Sequence, residues 1–238
     1  MANCRAVLLD IEGTVTPISF VHEILFPYAR EHVKNYVSQH LQQPEVQADI
    51  QKLREEQSSD AEELRQPPID SIDNVVTYVN RLIDLDRKSA ALKSLQGKIW
   101  KAGYEDGSLK SPVYPDVVAA FERWQDVEIK INIFSSGSVL AQQLLFAHTE
   151  AGDLTPYIDR YFDTSVGKKI EPQSYLTIAA NLAFDPTQIL FVSDVVAELD
   201  AAKAAGMQTR LCIRLGNPPQ PASQFQSVTS FDGLSMIV

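Results

Sequence analysis

The second half of the chain alternates short apolar runs with amphipathic stretches, and this alternation restricts the possible folds more than any other feature. The pattern predicts helices near residues 116–124, 139–148, 172–183 and 197–205, and strands near 128–134, 161–162, 188–192 and 209–213. Strands that alternate with helices form right-handed βαβ units, in which the strands lie parallel. We therefore predict an α/β protein with a doubly wound, mostly parallel, Rossmann-like sheet.

The first half of the chain has a different period. An apolar run at residues 4–9 is typical of a buried parallel strand. From residue 20 to about residue 107, apolar residues recur every three or four positions, which predicts four helices and no strand. Pro27 and Pro44 suit first helical turns, and Ser71 suits an N-cap. We expect a core domain of residues 1–15 and 110–238 and an inserted all-helical cap domain of residues 16–109.

Composition argues against several classes of protein. The 238 residues carry 21 basic and 31 acidic side chains, a net charge of −10, which repels nucleic-acid phosphates and anionic lipids. The longest apolar run, residues 117–121, is far shorter than the roughly 20 residues of a membrane helix. Cys4 and Cys212 lie in apolar, strand-like stretches, which favours buried thiols over a disulfide. We expect a cytoplasmic protein without nucleic-acid or membrane partners.

Polar residues follow the predicted strands, at the edge of the sheet where this fold binds ligands. The strand ends read Asp10-Ile11-Glu12-Gly13-Thr14, Ser135-Ser136-Gly137-Ser138 and Ser193-Asp194, with Glu198 one helical turn further on. Lys168 and Lys169 precede the predicted helix at Pro172. Taken singly, these residues could be turn caps, helix caps or solvated lysines. Together they supply acids for a divalent cation, hydroxyls and amides for a phosphate, and a lysine that offsets negative charge.

The order of these motifs resembles the haloacid dehalogenase superfamily, specifically its phosphatases. Their pattern is Asp-x-Asp, then Ser or Thr, then Lys, then a late acidic pair. One departure is informative, because Glu12 stands where most of these phosphatases have the second Asp. Glu12, with the stretches at residues 97–104 (GKIWKAGY), 134–138 (FSSGS) and 193–198 (SDVVAE), resembles the acireductone synthases, the enolase-phosphatases of methionine salvage.

This resemblance implies a bifunctional reaction on a phosphorylated diketone, 2,3-diketo-5-methylthiopentyl-1-phosphate, which is enolised and then dephosphorylated. Asp10 would be the nucleophile that forms an aspartyl-phosphate, and Glu12 the acid and base. One Mg²⁺ per subunit would be held by Asp10, Asp194 and either the side chain or the backbone carbonyl of Glu12. Ser135 and Ser136 would bind the phosphate group.

Two neighbouring lysines compete for the remaining role in substrate binding. Related phosphatases often carry Lys-Pro-x-Pro followed by two residues and an aromatic residue. Lys169, Pro172 and Tyr175 reproduce this spacing, whereas Lys168 is one position out of register. Ile170 replaces the first proline. We predict that Lys169 is the functional lysine.

Two other functions are compatible with parts of the pattern. A phosphatase for another small phosphate ester would use the same chemistry under a different cap. A receiver-like phospho-acceptor domain also combines acids, a hydroxyl and a lysine, but it is about half this length and has no such insertion. The base for the enolisation stays open, and we expect a monomer.

Overall fold

The chain divides between a unit built on a sheet and a unit built from helices. The computed structural model describes residues 4–60, 67–85, 87, 89–219 and 224–234. One compact unit, here the core unit, contains Met1–Val21 and Lys110–Val238. The other, here the helical unit, contains His22–Leu109.

The described part of the helical unit contains four α-helices and no strand, as predicted. They are α1 (Phe26–His40), α2 (Pro44–Ser58), α3 (Ile72–Asp84) and α4 (Ala90–Glu105), and a π-helix (Phe20–Leu25) precedes α1. Pro44 lies in the first turn of α2, where a missing amide hydrogen costs nothing. Pro27 lies at the start of α1, directly after the π-helix. The Ser71 hydroxyl accepts a hydrogen bond from the Asn74 amide at 3.3 Å, so the predicted N-cap of α3 is confirmed.

The core unit is built on a parallel sheet of six described strands in the order β3-β2-β1-β4-β5-β6. The strands are β1 (Ala6–Leu9), β2 (Lys130–Phe134), β3 (Ile158–Phe162), β4 (Ile189–Ser193), β5 (Gln208–Cys212) and β6 (Ser227–Val228). β1 lies inside the sheet, and its four residues are all buried, as a parallel strand covered on both faces requires. The predicted doubly wound α/β fold is confirmed.

Four helices connect these strands, namely α5 (Asp116–Asp126), α6 (Val139–Ala147), α7 (Pro172–Leu182) and α8 (Val196–Ala204). On one face of the sheet, the fully buried Tyr175 ring of α7 packs edge-on against Phe134 and Phe191, at centroid distances of 5.6 and 5.0 Å. Burying a large aromatic side chain stabilises a fold by about 2 to 3 kcal/mol. This packing fixes the start of α7 against the ends of β2 and β4.

Two expectations from composition can be compared with the structure. Cys4 and Cys212 are both buried free thiols, as predicted. No helix within the described ranges has both the length and the apolar character needed to cross a bilayer.

Candidate active site

The sheet register brings the polar strand ends together. Leu9 of β1 pairs with Ile133 of β2 on one side and with Val192 of β4 on the other. The Asp10 amide continues the ladder with a hydrogen bond of 3.0 Å to the Val192 carbonyl. Because the three strands are parallel and adjacent, Asp10, Ser135 and Asp194 lie at the same edge of the sheet.

Asp10 is a buried carboxylate, with 5% of the residue exposed. Its Oδ1 accepts hydrogen bonds from the Lys169 ammonium at 2.6 Å and from the Ile11 amide at 2.8 Å. Within the described residues, its Oδ2 accepts one long hydrogen bond, 3.4 Å, from the Ser193 hydroxyl. One oxygen is therefore held firmly in place, and the other is the less engaged of the two.

Lys169 lies between two carboxylates. Its Nζ is 2.6 Å from Asp10 Oδ1 and 2.8 Å from Glu198 Oε2, and only 10% of its side chain is exposed. Burial by itself would lower the pKa of this ammonium, but the charges of Asp10 and Glu198 outweigh burial and hold the pKa above its ordinary range. The two neighbouring carboxylates therefore favour the charged form of Lys169.

The turn before α7 points the two neighbouring lysines in different directions. The Tyr175 hydroxyl donates to the Lys169 carbonyl at 2.7 Å, and the Ser174 hydroxyl donates to the Lys168 carbonyl at 2.7 Å. The Lys168 side chain is 75% exposed and pairs with Glu171 at 3.3 Å. The structure thus places Lys169 against Asp10 and Lys168 towards solvent.

The β4 end adds two further buried acids. Ser193 donates to Glu198 Oε2 at 3.0 Å and accepts from the Val195 amide at 3.1 Å. The pKa of Asp194 rises to about 7, first because burial disfavours the charged form and then because Asp10 and Glu198 are negative. Burial and the charge of Asp10 raise the pKa of Glu198 as well. Among the described residues, three buried carboxyl groups therefore lie near one ammonium, that of Lys169.

The loop after β1 makes a tight turn that only glycine accommodates. Gly13 has φ +71°, and a Cβ atom there would lie 2.5 Å from Asp194 Oδ2. The Gly13 amide donates to the Thr16 carbonyl at 2.8 Å, and Glu12 pairs with Thr16 in a short parallel bridge. Glu12 itself is half-buried. The backbone at Gly13, next to Glu12, therefore packs against the Asp194 carboxylate.

The β2 end forms a turn that leads into α6. Ser135 is 3% exposed, and its hydroxyl accepts from the Gly137 amide at 3.1 Å. Ser138 caps α6 by accepting from the Ala141 amide at 3.3 Å. Ser136 is half-buried between them. A hydroxyl-rich turn at a helix N-terminus suits an anion, because the amides there point outward.

The structure does not bring every predicted metal ligand together as a side-chain cluster. In the part of the chain that the structure describes, no three His, Cys, Asp or Glu side chains form a group able to hold a metal ion. The carboxylates of Asp10 and Asp194 and the backbone beside Glu12 are the oxygen donors at this strand edge. Mg²⁺ is commonly held by one or two carboxylates, with water completing its shell, so this donor set fits that ion.

Sequence reasoning missed how three groups complete this site. It noted Glu198 one helical turn after Asp194 as an acid, but not as the second partner of Lys169. Ser193 connects Asp10 and Glu198 through one hydroxyl. The Tyr175 hydroxyl fixes the Lys169 backbone, whereas the sequence indicated only an aromatic residue at that spacing.

Comparison with known proteins identifies the family. Residues 4–206 match the haloacid dehalogenase-like hydrolases. The chain belongs to this family. Among these hydrolases it is 51% identical, over 233 residues, to the enolase-phosphatase E1 of Synechococcus elongatus, with 98% of each chain covered. It is 43% identical over 232 residues to the enolase-phosphatase E1 of Serratia proteamaculans. This match covers 98% of this chain and 97% of the relative.

Solved structures agree with this assignment of the hydrolase. The crystal structure of the UTR4 protein of Saccharomyces cerevisiae superposes with a TM-score of 0.81 at 38% identity, covering 98% of this chain and 100% of that one. A dehalogenase crystal structure shares the fold at 18% identity, with a TM-score of 0.56 over 98% of this chain and 96% of that one. The predicted resemblance to the superfamily and to its enolase-phosphatases is confirmed.

Proposed function

We propose that the chain is a bifunctional, Mg²⁺-dependent enolase-phosphatase of methionine salvage. It would convert 2,3-diketo-5-methylthiopentyl-1-phosphate to the acireductone 1,2-dihydroxy-3-keto-5-methylthiopentene. Full-length identity of 43 to 51% to proteins named enolase-phosphatase E1 supports the substrate. The observation that carries the chemistry is the buried Asp10 carboxylate, held by Lys169 at a strand edge that also presents Asp194 and the serine turn.

The phosphatase step would begin with Asp10 as the nucleophile. Its Oδ2 is the less engaged oxygen, whereas Lys169 and the Ile11 amide hold Oδ1 and orient the carboxylate. In this step a bond forms between Asp10 and phosphorus, and the bond from phosphorus to the enol oxygen breaks. Ser135 and Ser136 would bind the phosphoryl oxygens through hydroxyl and amide groups. Lys169 would offset the repulsion between the carboxylate and the phosphate.

Glu12 would act on both sides of the covalent intermediate. As the carboxyl next but one to the nucleophile, it would protonate the leaving enol oxygen and later take a proton from the water that hydrolyses the aspartyl-phosphate. It is also a candidate base for the enolisation, in which a proton leaves the carbon next to a carbonyl group. Glu12 is half-buried. This partial exposure is compatible with proton exchange with substrate and water.

The magnesium ion would be held by Asp10, Asp194 and Glu12, the last through its side chain or its backbone carbonyl. The charge balance of the site supports a cation there, since, in the part of the chain that the structure describes, three buried carboxyl groups lie near one ammonium, that of Lys169. A bound Mg²⁺ would polarise the substrate carbonyl and phosphoryl oxygens as a Lewis acid. One ion per subunit stays a prediction.

Three further expectations stay predictions. Residues 16–109 would form a cap domain that excludes water from the reaction and recognises the methylthio tail. The protein would be a monomer in the cytoplasm, without nucleic-acid or membrane partners. The free thiols of Cys4 and Cys212 agree with a reducing compartment.

One assay tests the proposed function directly. The protein is incubated with Mg²⁺ and the diketo phosphate, and enol absorbance is followed together with free phosphate. We expect a rise in enol absorbance followed by stoichiometric phosphate. Phosphate release from other small phosphate esters, with no activity on the diketone, would instead support the alternative phosphatase. Stable phosphorylation without turnover would support a phospho-acceptor domain.

A further inference from the structure

A turn after β5 reaches the loop that carries Glu12 and Gly13. This turn, Arg214 to Asn217, is here called the β5 turn, and it is closed by a hydrogen bond of 3.2 Å from the Asn217 amide to the Arg214 carbonyl. Gly216 within it has φ +93°, a conformation that favours glycine. No motif in the sequence pointed to these residues.

The β5 turn binds two consecutive carbonyl groups of the loop after β1. Asn217 Nδ2 donates to the Gly13 carbonyl at 2.9 Å, and Arg214 Nε donates to the Thr14 carbonyl at 3.1 Å. A carbonyl oxygen can only accept, so the Asn217 amide must turn its nitrogen towards Gly13 and its oxygen away. The loop is therefore fixed by side chains about 200 positions further along the chain.

Arg214 makes the β5 turn a rigid support. Its guanidinium forms a two-pronged ion pair with Asp116, at 2.8 and 2.9 Å, and its side chain is 3% exposed. The group also lies over the rings of Tyr114 and Phe231, with centroids 4.4 and 4.7 Å away. A planar guanidinium held by two hydrogen bonds and packed against two rings has little freedom to move.

The Asn217 amide lies beside the carboxylate proposed to hold the metal. The position that a Gly13 Cβ would occupy is 2.5 Å from Asp194 Oδ2 and 3.1 Å from Asn217 Nδ2, so both groups flank the same side of Gly13. Asn217 Oδ1 is buried and has no hydrogen-bond partner among the described residues. A buried acceptor requires a donor, and the described residues supply none for this oxygen.

We propose that Asn217 is a positioning residue for the magnesium site. Its Nδ2 fixes the Gly13 carbonyl, which sets the path of the loop from Asp10 through Glu12 to its contact with Asp194. This inference rests on the proposed function for its metal, and it adds a residue outside the four motifs.

The test measures Mg²⁺ affinity by titration calorimetry on the folded, metal-free protein. Groups that orient metal ligands typically change metal affinity by about 10- to 100-fold when removed. We expect Asn217→Ala to weaken Mg²⁺ binding by at least about tenfold. Asn217→Ser, whose hydroxyl is too short to reach the Gly13 carbonyl, should show the same loss, and it decides the question if the alanine variant does not fold.

Asn181→Ala is the matched control. It also removes a hydrogen bond from a side-chain amide to a backbone carbonyl, that of Thr177 at 2.8 Å, but this bond lies on the exposed surface of α7. Its Mg²⁺ affinity should equal that of the wild type. A purely structural role for Asn217 would lower the melting temperature of the metal-free variant and leave the affinity of the folded protein unchanged. Affinity within twofold of the wild type in both Asn217 variants would overturn the proposal.

The experiment distinguishes a failure of the Asn217 proposal from a failure of the proposed function. If the wild type binds Mg²⁺ but does not convert the diketo phosphate, the proposed function fails and the affinity ratio still decides the role of Asn217. If the wild type turns over the diketone while the Asn217 variants keep full affinity, only this inference fails. If the wild type does not bind Mg²⁺, the metal site and this inference fail together, whereas turnover still judges the reaction.

Discussion

Buried charges occur in both units of the molecule, but their balance differs. In the helical unit, Lys98 Nζ contacts Asp49 Oδ2 at 2.6 Å and also donates to Ser94 at 2.8 Å. Asp60 likewise pairs with Arg87 and accepts from the Tyr78 hydroxyl at 2.7 Å. Both buried carboxylates in the described part of the helical unit therefore have a cation of their own.

At the strand edge of the core unit, the described buried carboxyl groups outnumber the described ammonium groups that contact them. Asp10, Asp194 and Glu198 are buried together, and Lys169 is the ammonium that contacts two of them. Burial, and then the negative charges of Asp10 and Glu198, raise the pKa of Asp194. Unpaired buried charge costs stability, so a fold keeps it only where something else requires it. The comparison predicts that carboxylates in the core site serve the reaction, whereas those in the helical unit serve the fold.

The sharpest way to break this comparison is to neutralise the nucleophile. Asp10→Asn keeps the shape of the side chain and removes the attacking charge, so phosphate release should fall by about 10⁴-fold or more. Stability should change little, because Lys169 keeps Glu198 and repulsion with Asp194 is relieved. Phosphate assays with circular dichroism check both. A well-folded variant with more than a tenth of wild-type release would mean that another group attacks.

Removal of the metal should have the next largest effect. Chelation by excess EDTA should reduce turnover by at least roughly 10³-fold, since a Lewis acid at the phosphate supplies several kcal/mol of transition-state stabilisation. Added Mg²⁺ should restore the activity and raise the melting temperature. Full turnover in EDTA, or restoration by Zn²⁺ alone at equal free concentration, would remove the basis for the proposed site.

Glu12→Gln should separate enolisation from phosphate release less completely than Asp10→Asn does. Losing a general acid and base typically costs about 10²- to 10⁴-fold, and we expect phosphate release to fall within this range. If Glu12 is also the base, deuterium exchange at the acidic carbon of the substrate should slow, as followed by NMR.

Asp10→Asn provides the comparison for that experiment, because it should still exchange deuterium and accumulate the phosphorylated enol at saturating Mg²⁺. If the wild type released phosphate but exchanged no faster than a sample without protein, the enolase half of the proposal would be wrong.

The smallest effect concerns the helical unit and should be one of stability alone. Asp49→Asn leaves the mostly buried Lys98 without its anion, and we expect a loss of about 2 kcal/mol in the free energy of unfolding. Denaturant titration measures this loss, while kcat of the folded variant should stay at the wild-type level. Replacing both partners by apolar residues should recover much of the stability. A large fall in kcat with unchanged stability would place Asp49 in the reaction.

The sequence predicted the parts of the fold that have a strong local pattern. Apolar runs such as residues 188–192 identified buried strands, but β3 was predicted only at residues 161–162 and extends over Ile158–Phe162. Its exposed Asp159 and Arg160 interrupt the apolar run. β6 was not predicted, because a two-residue strand has no measurable period.

In the candidate site, too, residues with a local sequence signal were predicted and residues joined by long-range contacts were not. Asp10 and Lys169 were found because strand ends and motif spacing are local signals, and the structure places the two side chains 2.6 Å apart. The contact between Asn217 and Gly13 joins residues about 200 positions apart, with no spacing rule to connect them. Long-range contacts of this kind depend on how loops pack, which the sequence pattern does not encode.

The position of β1 within the sheet has a consequence for how the protein is made. Ala6 of β1 pairs with Lys130 of β2 and with Ile189 of β4, so β1 leaves the ribosome well before either partner strand. Chains emerge at about 5 to 20 residues per second, which leaves this apolar strand waiting for several seconds. The helical unit needs only nearby contacts and can fold meanwhile. Nascent chains should therefore acquire helices first, and they should depend on chaperones to shield β1 until β4 arrives.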